Sequence, residues 1–295
     1  VVAFISRDRR SVRVFSSQSG TIDLMQAAAH IAKAGINDLD VRQVPDSEVW
    51  CVLDDGTAVA MTQAGEGSAW WPISTKSGHA LRSVAVLPGA TEDALFFVVS
   101  RGSSFYLERL ITPDDSVFPS YSIAGRAHLD SCVVVTAANG ISGQTRFASQ
   151  TVSIHVGSVP EMRGTVSFDA TGAATRFLPT GGTAGLDELT IPNTPCLLGY
   201  PFEADLETCR LDSSASEGML KTGSQVQCSV YASGSFNLYL SLAMGTSELI
   251  DVPIPLDSSG NVAYPYSGLL AVENPAGEAT DQTIRVKSND GQPVN

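Results

Sequence analysis

Short apolar runs separated by polar turns recur along the first third of the chain, and two of them share one pattern. Val49–Leu53 and Leu95–Val99 both end in a turn with a glycine, and the second run begins 46 positions after the first. A looser copy opens the chain at Val2–Ile5. Units of roughly 40–50 residues with several short strands are typical of β-propeller blades. We therefore predict blades over residues 1–111, in which the two matching runs are equivalent interior strands.

The strands of this repeat carry specific expectations. Val49–Leu53 is apolar throughout, as expected of a strand covered on both faces. Asp54-Asp55-Gly56 predicts a tight turn with positive φ. The run Trp70-Trp71-Pro72 predicts an edge strand, because proline cannot donate to a ladder. The two tryptophans would then point to opposite faces, which favours core or interface packing over a ligand-stacking platform.

One stretch of the blade region has the spacing of a helix, near residues 22–34. Thr21 could cap it, Asp23 would lie in its first turn, and Gly35 could end it. One face would carry the apolar residues Leu24, Ala28, Ile31 and Ala32. His30 also falls in this stretch, but no second ligand-type residue lies at a matching offset, so we do not predict a metal site there.

The remainder of the chain is predicted to be all β. Short alternating or apolar runs are separated by glycine, serine, threonine and proline, as in a sandwich or small barrel. Thr112–Asp115 marks one boundary and the small, polar stretch Ser213–Gly218 marks another. The predicted organisation is blades at 1–111, a β-sandwich or small barrel at 112–212, and a second sandwich-like domain at 213–295.

Composition and charge exclude several classes. The net charge is −13, and residues 112–295 carry 8 basic against 19 acidic side chains, which disfavours binding to nucleic acid or to anionic membranes. No apolar run approaches the roughly 20 residues needed to span a bilayer, and no signal peptide is recognisable. The cysteines are odd in number and never form a C-x-x-C pair, which favours buried free thiols and a reducing compartment; they are Cys51, Cys132, Cys196, Cys209 and Cys228.

No catalytic, cofactor-binding or metal-binding residues are predicted. A site formed by His128, Asp130 and His155 is conceivable from their positions but is disfavoured. Three pairs of neighbouring carboxylates occur in predicted turns, where turn formation is the favoured role: Asp54-Asp55, Glu92-Asp93 and Asp114-Asp115. The chain has no nucleophile-elbow motif and no phosphate-binding glycine loop. A weak match to the Asp-box turn of sialidase-type propellers lacks its serine, because Val52 occupies that place.

Five segments form an ordered set of motifs: Phe4–Arg13, Val49–Val52, Ser83–Gly89, Phe97–Gly102 and Tyr106–Leu110. This set resembles the tail nozzle (tail tubular protein B-like) proteins of short-tailed bacteriophages. The resemblance is strong over residues 4–111 and weaker over 112–195. Leu198–Phe202 is similar to the family's G-x-P-[YF] strand end, and Thr283–Val286 to its closing strand. The basic stretch that often follows the first of these is acidic and neutral here, at Ser213–Gly218.

The resemblance implies a structural virion protein and no enzyme. Several copies, typically six, would form a ring below the head-to-tail adaptor, in the virion tail, after assembly in the host cytoplasm. Tail fibres are a further possible partner, and DNA would pass through the ring without specific binding. Because relatives are longer at the N-terminus, the chain is expected to be a C-terminal portion with the last blades. The alternative function is a propeller-type glycan-binding module or glycoside hydrolase, with Trp70 and Trp71 as its platform.

The acidic balance of residues 112–295 allows two interpretations. Acidic groups that faced the channel would repel DNA and give a wall of low friction, whereas acidic groups on the outside would only keep the surface soluble. We leave both open. In either case the basic cluster Arg7, Arg9, Arg10 and Arg13 is expected to lie away from the channel, at a contact with acidic turns of a neighbouring subunit.

Overall fold

The protein, seen in a computed structural model, divides into two compact units, Val1–Thr112 and Pro113–Asn295. Its described secondary structure is antiparallel strands and one 3-10 turn, Thr145–Phe147, so the predicted all-β class is confirmed. The structure describes residues 2–17, 20–26, 28–64, 67–111, 129–136, 141–156, 162–179, 195–201, 205–207, 221–222, 225–233, 236–241, 247–252, 266–273, 278–279 and 283–288.

The first unit consists of three consecutive antiparallel meanders. Sheet 1 has the order β1-β2-β3, sheet 2 the order β4-β5-β6-β7, and sheet 3 the order β8-β9-β10. The strands are Val2–Ile5 (β1), Val12–Ser16 (β2), Gly20–Asp23 (β3), Ile36–Arg42 (β4), Glu48–Leu53 (β5), Ala58–Ala64 (β6), Gly67–Ile73 (β7), His79–Leu87 (β8), Ala94–Arg101 (β9) and Ser104–Arg109 (β10).

The two matching runs of the repeat occupy equivalent strands. Val49–Leu53 lies in β5 and Leu95–Val99 in β9, and each is the second strand of its meander. The ladder to the first strand is interrupted at the same place in both sheets, by a bulge at Asn37 in β4 and at Arg82 in β8. The equivalence predicted from the sequence is therefore confirmed in strand order and in register.

Sheet 2 lies between the other two sheets, and its second strand is buried along its whole length. One face packs with sheet 1 and the turns that follow it, in a cluster of Val12, Met25, Ala32, Ile36, Val49, Cys51, Leu53, Val59 and Met61. The other face packs with sheet 3, in a cluster of Trp50, Val52, Ala58, Ala60, Leu81, Val84, Leu95, Phe97 and Val99. A strand between two apolar layers needs an unbroken apolar run, which is why Val49–Leu53 does not alternate.

The helix predicted near 22–34 is wrong. Gly20–Asp23 is strand β3, and the described residues from 24 to 34 form consecutive turns. Leu24 N–H donates to Val12 O and Met25 N–H donates to Asp23 Oδ1, bonds that are compatible with a helix start. The four-residue bonds of an α-helix do not follow among the described residues of this stretch. Backbone bonds then close at three-residue spacing, and the last of them runs from Gly35 to Ala32.

The edge position predicted for the tryptophan strand is confirmed. Strand β7 is the last strand of sheet 2, and Pro72 lies within it. The half-buried Trp70 packs on the side of sheet 1 and donates from Nε1 to Leu24 O at 3.0 Å. Trp71 packs on the side of sheet 3 and meets Trp50 edge-to-face, with ring centroids 6.3 Å apart. Both rings are thus engaged in packing within the unit.

The second unit contains a five-stranded sheet with the order β11-β15-β12-β13-β14 and a four-stranded sheet with the order β16-β23-β19-β20. Two further strand pairs are β17-β22 and β18-β21. The strands are Asp130–Thr136 (β11), Thr151–Val156 (β12), Met162–Phe168 (β13), Ala174–Pro179 (β14), Pro195–Tyr200 (β15), Asp205–Glu207 (β16), Lys221–Thr222 (β17), Gln225–Ser233 (β18), Phe236–Ser241 (β19), Ser247–Val252 (β20), Tyr266–Glu273 (β21), Glu278–Ala279 (β22) and Thr283–Ser288 (β23).

One strand pairing in this unit crosses the predicted boundary at 212. Strand β16 precedes that boundary, yet it pairs with β23 in the four-stranded sheet, where Arg285 Nε donates to Asp205 Oδ1 at 2.7 Å. The five-stranded sheet has its own core, in which Phe147 of the 3-10 turn packs edge-to-face on Tyr200, with centroids 5.3 Å apart. The predicted boundary stretch Ser213–Gly218 lies outside the described residues.

Candidate functional site

A buried ion pair lies at the end of sheet 2 where β4 turns into β5. Arg42 Nη2 contacts Glu48 Oε2 at 2.8 Å, and both side chains are about nine-tenths buried. Trp50 Nε1 donates to the same carboxylate oxygen at 2.8 Å. Arg42 Nε has no hydrogen-bond partner. Two donors, Arg42 and Trp50, thus hold the buried carboxylate of Glu48. The carboxylate stabilises the hairpin and is not accessible to a substrate.

A second polar cluster lies where β9 turns into β10. The buried Arg101 forms a two-pronged contact with Glu108, from Nε to Oε1 at 2.8 Å and from Nη2 to Oε2 at 2.6 Å. Its Nη1 lies 2.6 Å from Nδ1 of His79. Since guanidinium only donates, Nδ1 accepts and the imidazole carries its proton on Nε2. The arrangement fixes the hairpin end against β8.

Two aspartates of β4 join sheet 2 to sheet 3. Asp38 Oδ2 accepts from Val84 N–H at 3.1 Å, and Asp40 Oδ2 accepts from Val86 N–H at 2.7 Å. Strands β4 and β8 are edge strands of their sheets, so these amides of β8 would otherwise lack a ladder partner. The carboxylates therefore satisfy an exposed edge and fasten one sheet to the next.

The described aspartates of the carboxylate pairs are bonded to neighbouring side chains or backbone amides. Asp54 Oδ1 lies 2.6 Å from Arg9 Nη2, and Asp55 Oδ1 accepts from Thr57 N–H at 3.0 Å. Asp93 accepts three backbone amides, and the bond from Gln43 is the largest cause that holds the pKa of this carboxyl below its usual range. Turn formation is thus confirmed for Asp55. The pair Asp114-Asp115 lies outside the described residues.

The histidines weighed as ligands are not brought together. His30 is exposed in a turn, and His128 lies outside the described residues. Asp130 is paired with Tyr200 and His155 with Leu197, which puts their side chains on opposite faces of the five-stranded sheet. Among the described residues, no group of three or more His, Cys, Asp or Glu side chains is arranged to hold a metal ion.

The basic cluster surrounds a turn between β1 and β2. A cleft of about 450 Å³ is lined by Ser6, Arg7, Asp8 and Arg13. Asp8 accepts from Ser6 Oγ and from Arg10 N–H, and the first of these bonds is the main cause that lowers the pKa of its carboxyl. Arg9 reaches away from the cleft, since its Nε donates to Ile36 O at 2.8 Å. The cluster is therefore partly used to fasten sheet 1 to sheet 2.

Large apolar side chains are exposed on the outward faces of sheets 1 and 3. We define the trailing face of sheet 1 as Val2, Phe4 and Phe15, and the leading face of sheet 3 as Leu87, Phe96, Val98, Phe105 and Leu107. Phe105 and Leu107 are 69% and 71% exposed, and Val2 is 61% exposed. Exposed apolar patches that are larger than scattered single residues mark interaction surfaces.

The thiols of Cys51 and Cys196 are not activated. Burial raises the pKa of Cys51 to about 12, with the charge of Asp38 as a smaller cause, and burial raises the pKa of Cys196 to about 11. Neutral buried thiols are poor nucleophiles and poor metal ligands. The polar groups described above hold turns and sheet edges. Within the described part of the first unit, the two apolar faces and the basic turn are surfaces that are not used in this way.

No protein-family model matches the chain, and no curated protein matches it. Within the described residues, no helix has the length and apolar character that crossing a membrane requires. The resemblance to tail nozzle proteins therefore stays a prediction, carried by the motifs of the sequence.

Proposed function

We propose that the protein is a structural component of the tail of a short-tailed bacteriophage, a part of a ring-shaped nozzle through which the genome leaves. In this proposal copies of the chain associate below the head-to-tail adaptor, the first unit contributes blades of a propeller, and the second contributes sandwich-like domains. The protein acts by its shape and surface, and it performs no chemistry on the DNA.

One observation carries the proposal most directly. The five segments that resemble the nozzle family fall on the strand framework of the first unit: on β1 and β2, on β5, and on β8, β9 and β10. The spacing of the motifs thus coincides with a repeat of stacked antiparallel meanders, and propeller blades are likewise built from small antiparallel sheets. The polar groups of these segments are engaged in fastening the sheets, as a structural role requires.

The glycan-binding alternative is not favoured by the described residues. Trp70 and Trp71 are half-buried on opposite faces of sheet 2 and pack within the unit. Glycoside hydrolysis needs two carboxylates that face one sugar bond from opposite sides. Asp54 and Asp93 are instead bonded to an arginine and to backbone amides. A glycan array and a hydrolysis screen on the purified chain would support this alternative if either showed specific activity.

Localisation in the virion tests the proposal. Gold-labelled antibodies against the chain are expected to mark the tail end of particles whose genome encodes it, and an amber mutant is expected to yield filled heads without a complete tail. Labelling of the head or fibres alone, or absence of the protein from disrupted particles, would refute the proposal.

The acidic charge leads to a separate expectation about DNA. A protein with a net charge of −13 has few groups that could release counterions from phosphates. We therefore expect the purified chain to show no measurable binding of fluorescent duplex DNA at physiological salt. If acidic side chains line the channel, lysine replacements there will slow genome release without preventing assembly. If the acidic side chains instead lie on the outside of the ring, their replacement by lysine will leave the rate of genome release unchanged and will reduce solubility.

A further inference from the structure

The polar cluster at the end of sheet 3 contains a histidine whose protonation state is set by its neighbour. Arg101 is 8% exposed, and its Nη1 lies 2.6 Å from Nδ1 of His79. The two residues are directly opposite each other in the ladder between β8 and β9. A guanidinium group has only donors, and it stays charged throughout the physiological pH range. The contact therefore requires that Nδ1 of His79 carries no proton.

Protonation of His79 breaks this contact. An imidazolium donates from both ring nitrogens, so Nδ1 no longer accepts, and two positive groups are in direct contact. Arg101 cannot relieve the repulsion by losing its own proton. Its guanidinium is also held in place, because Nε and Nη2 bind the two carboxylate oxygens of Glu108 at 2.8 Å and 2.6 Å. The imidazole is therefore the group that must move.

Other charged and titratable groups surround this contact. Those that the structure describes lie on three elements: β10 carries Glu108 and Tyr106, the turn before β8 carries Lys76, and the turn of sheet 2 that binds β8 carries Asp55. Glu108 binds the Nε and Nη2 edge of the guanidinium, whereas His79 contacts Nη1. The carboxylate of Asp55 is bonded to Thr57. The group in direct contact with the imidazole is thus a cation, and its repulsion determines the effect of acid.

We propose that His79 is an acid-sensitive contact that holds the hairpin of β9 and β10. Neutral His79 accepts from Arg101 and ties the end of the hairpin to β8, and protonated His79 leaves this position and releases the hairpin end. A histidine of an unfolded chain binds a proton near pH 6.5. Because the folded cluster disfavours that proton, unfolding takes up a proton, and the stability of the first unit falls as the pH drops below about 6.5. This device belongs to the first unit alone and does not depend on the proposed function.

Urea unfolding at pH 8 and at pH 5.5, monitored by tryptophan fluorescence, tests the proposal. All three tryptophans lie in the first unit, whose histidines are His30 and His79. Both pH values lie above the ordinary range of carboxyl groups. His79→Gln supplies an oxygen that accepts from Arg101 at either pH and cannot be protonated. His30→Gln is the matched control, because His30 is exposed in a turn after β3.

The wild type and His30→Gln are expected to have a urea midpoint about 1 M lower at pH 5.5 than at pH 8, since loss of a hydrogen bond to a charged group has about this effect. His79→Gln is expected to keep the same midpoint at both pH values. A wild type whose midpoint does not fall would overturn the proposal. The same holds for a His79→Gln variant whose midpoint falls as far as that of the wild type.

Hydrogen exchange locates the change in the wild type itself, so this part of the test does not require that the variant folds. After correction for the intrinsic exchange rate at each pH, the backbone amides of residues 101–108 are expected to lose protection at pH 5.5, while those of β5 keep theirs. Equal protection of the hairpin at both pH values, or an equal loss in β5, would contradict the release of the hairpin end.

Discussion

Replacement of Trp50 by alanine is the most direct test of the stacked sheets. Trp50 is 3% exposed and packs edge-to-face with Trp71 and Phe97. An aromatic side chain buries about 150–250 Å², which at about 25 cal/mol per Å² contributes roughly 4–6 kcal/mol. Because alanine keeps part of this contact, the free energy of unfolding should fall by about 3–5 kcal/mol.

A conservative variant separates packing from hydrogen bonding. Trp50→Phe keeps an aromatic ring but removes the Nε1 bond to Glu48. A hydrogen bond to a charged group contributes about 1.5–3 kcal/mol. Glu48 still keeps Arg42 in this variant. We therefore expect Trp50→Phe to cost about 1–3 kcal/mol, clearly less than Trp50→Ala.

Urea unfolding, monitored by tryptophan fluorescence, measures the stability of the first unit in both variants. The chain has three tryptophans, and all lie in the first unit, so Trp70 and Trp71 continue to report on it when Trp50 is replaced. With a slope of about 2 kcal/mol per molar urea, the alanine variant should unfold about 2 M earlier. A loss below about 1 kcal/mol, or equal losses for alanine and phenylalanine, would show that Trp50 does not join sheets 2 and 3 as described.

Further expectations concern a turn, a buried carboxylate and two thiols. Gly56→Ala should destabilise the first unit far more than Gly102→Ala in urea unfolding, because both residues have positive φ but only at Gly56 would a Cβ lie 2.4 Å from a carbon of the next sheet. Asp93 has a lowered pKa, so its stabilisation is present above its ordinary pKa and is lost as pH falls through the lower folded value; Asp93→Asn should be less stable at pH 7 and should show a shallower acid transition by fluorescence. Cys51 and Cys196 should resist Ellman's reagent at mildly alkaline pH until urea is added, and fast labelling of either in the folded chain would contradict their burial.

The strands were predictable because each follows from a local pattern. An unbroken apolar run, a glycine turn and a proline at an edge suffice to place β5, the turn after it and β7. The turns near residues 22–34 could not be predicted in the same way, because apolar residues at spacings of three and four fit consecutive turns as well as a helix. What distinguishes them in the structure is that Gly20–Asp23 pairs with β2, a contact between different strands, and that the backbone bonds after it close at three-residue spacing.

The residues that matter most between the sheets could not be recognised from single motifs. Asp38 and Asp40 resemble the polar positions of any half-exposed strand, and their partners lie 46 residues away. The sequence separation between each aspartate and its partner, 46 residues, equals the period of the repeat, and this match could have indicated the contact.

The bonds from β4 to β8 also determine how the junction between sheets 2 and 3 responds to a mechanical force. By their ladder positions, the counterparts of Asp38 and Asp40 in sheet 3 are Ser83 and Ala85, neither of which carries a carboxylate. A force along the strands would therefore load these polar bonds in shear between sheets 2 and 3. Sliding of sheet 3 along sheet 2 requires that both bonds break, so the two carboxylates fix the register between these sheets.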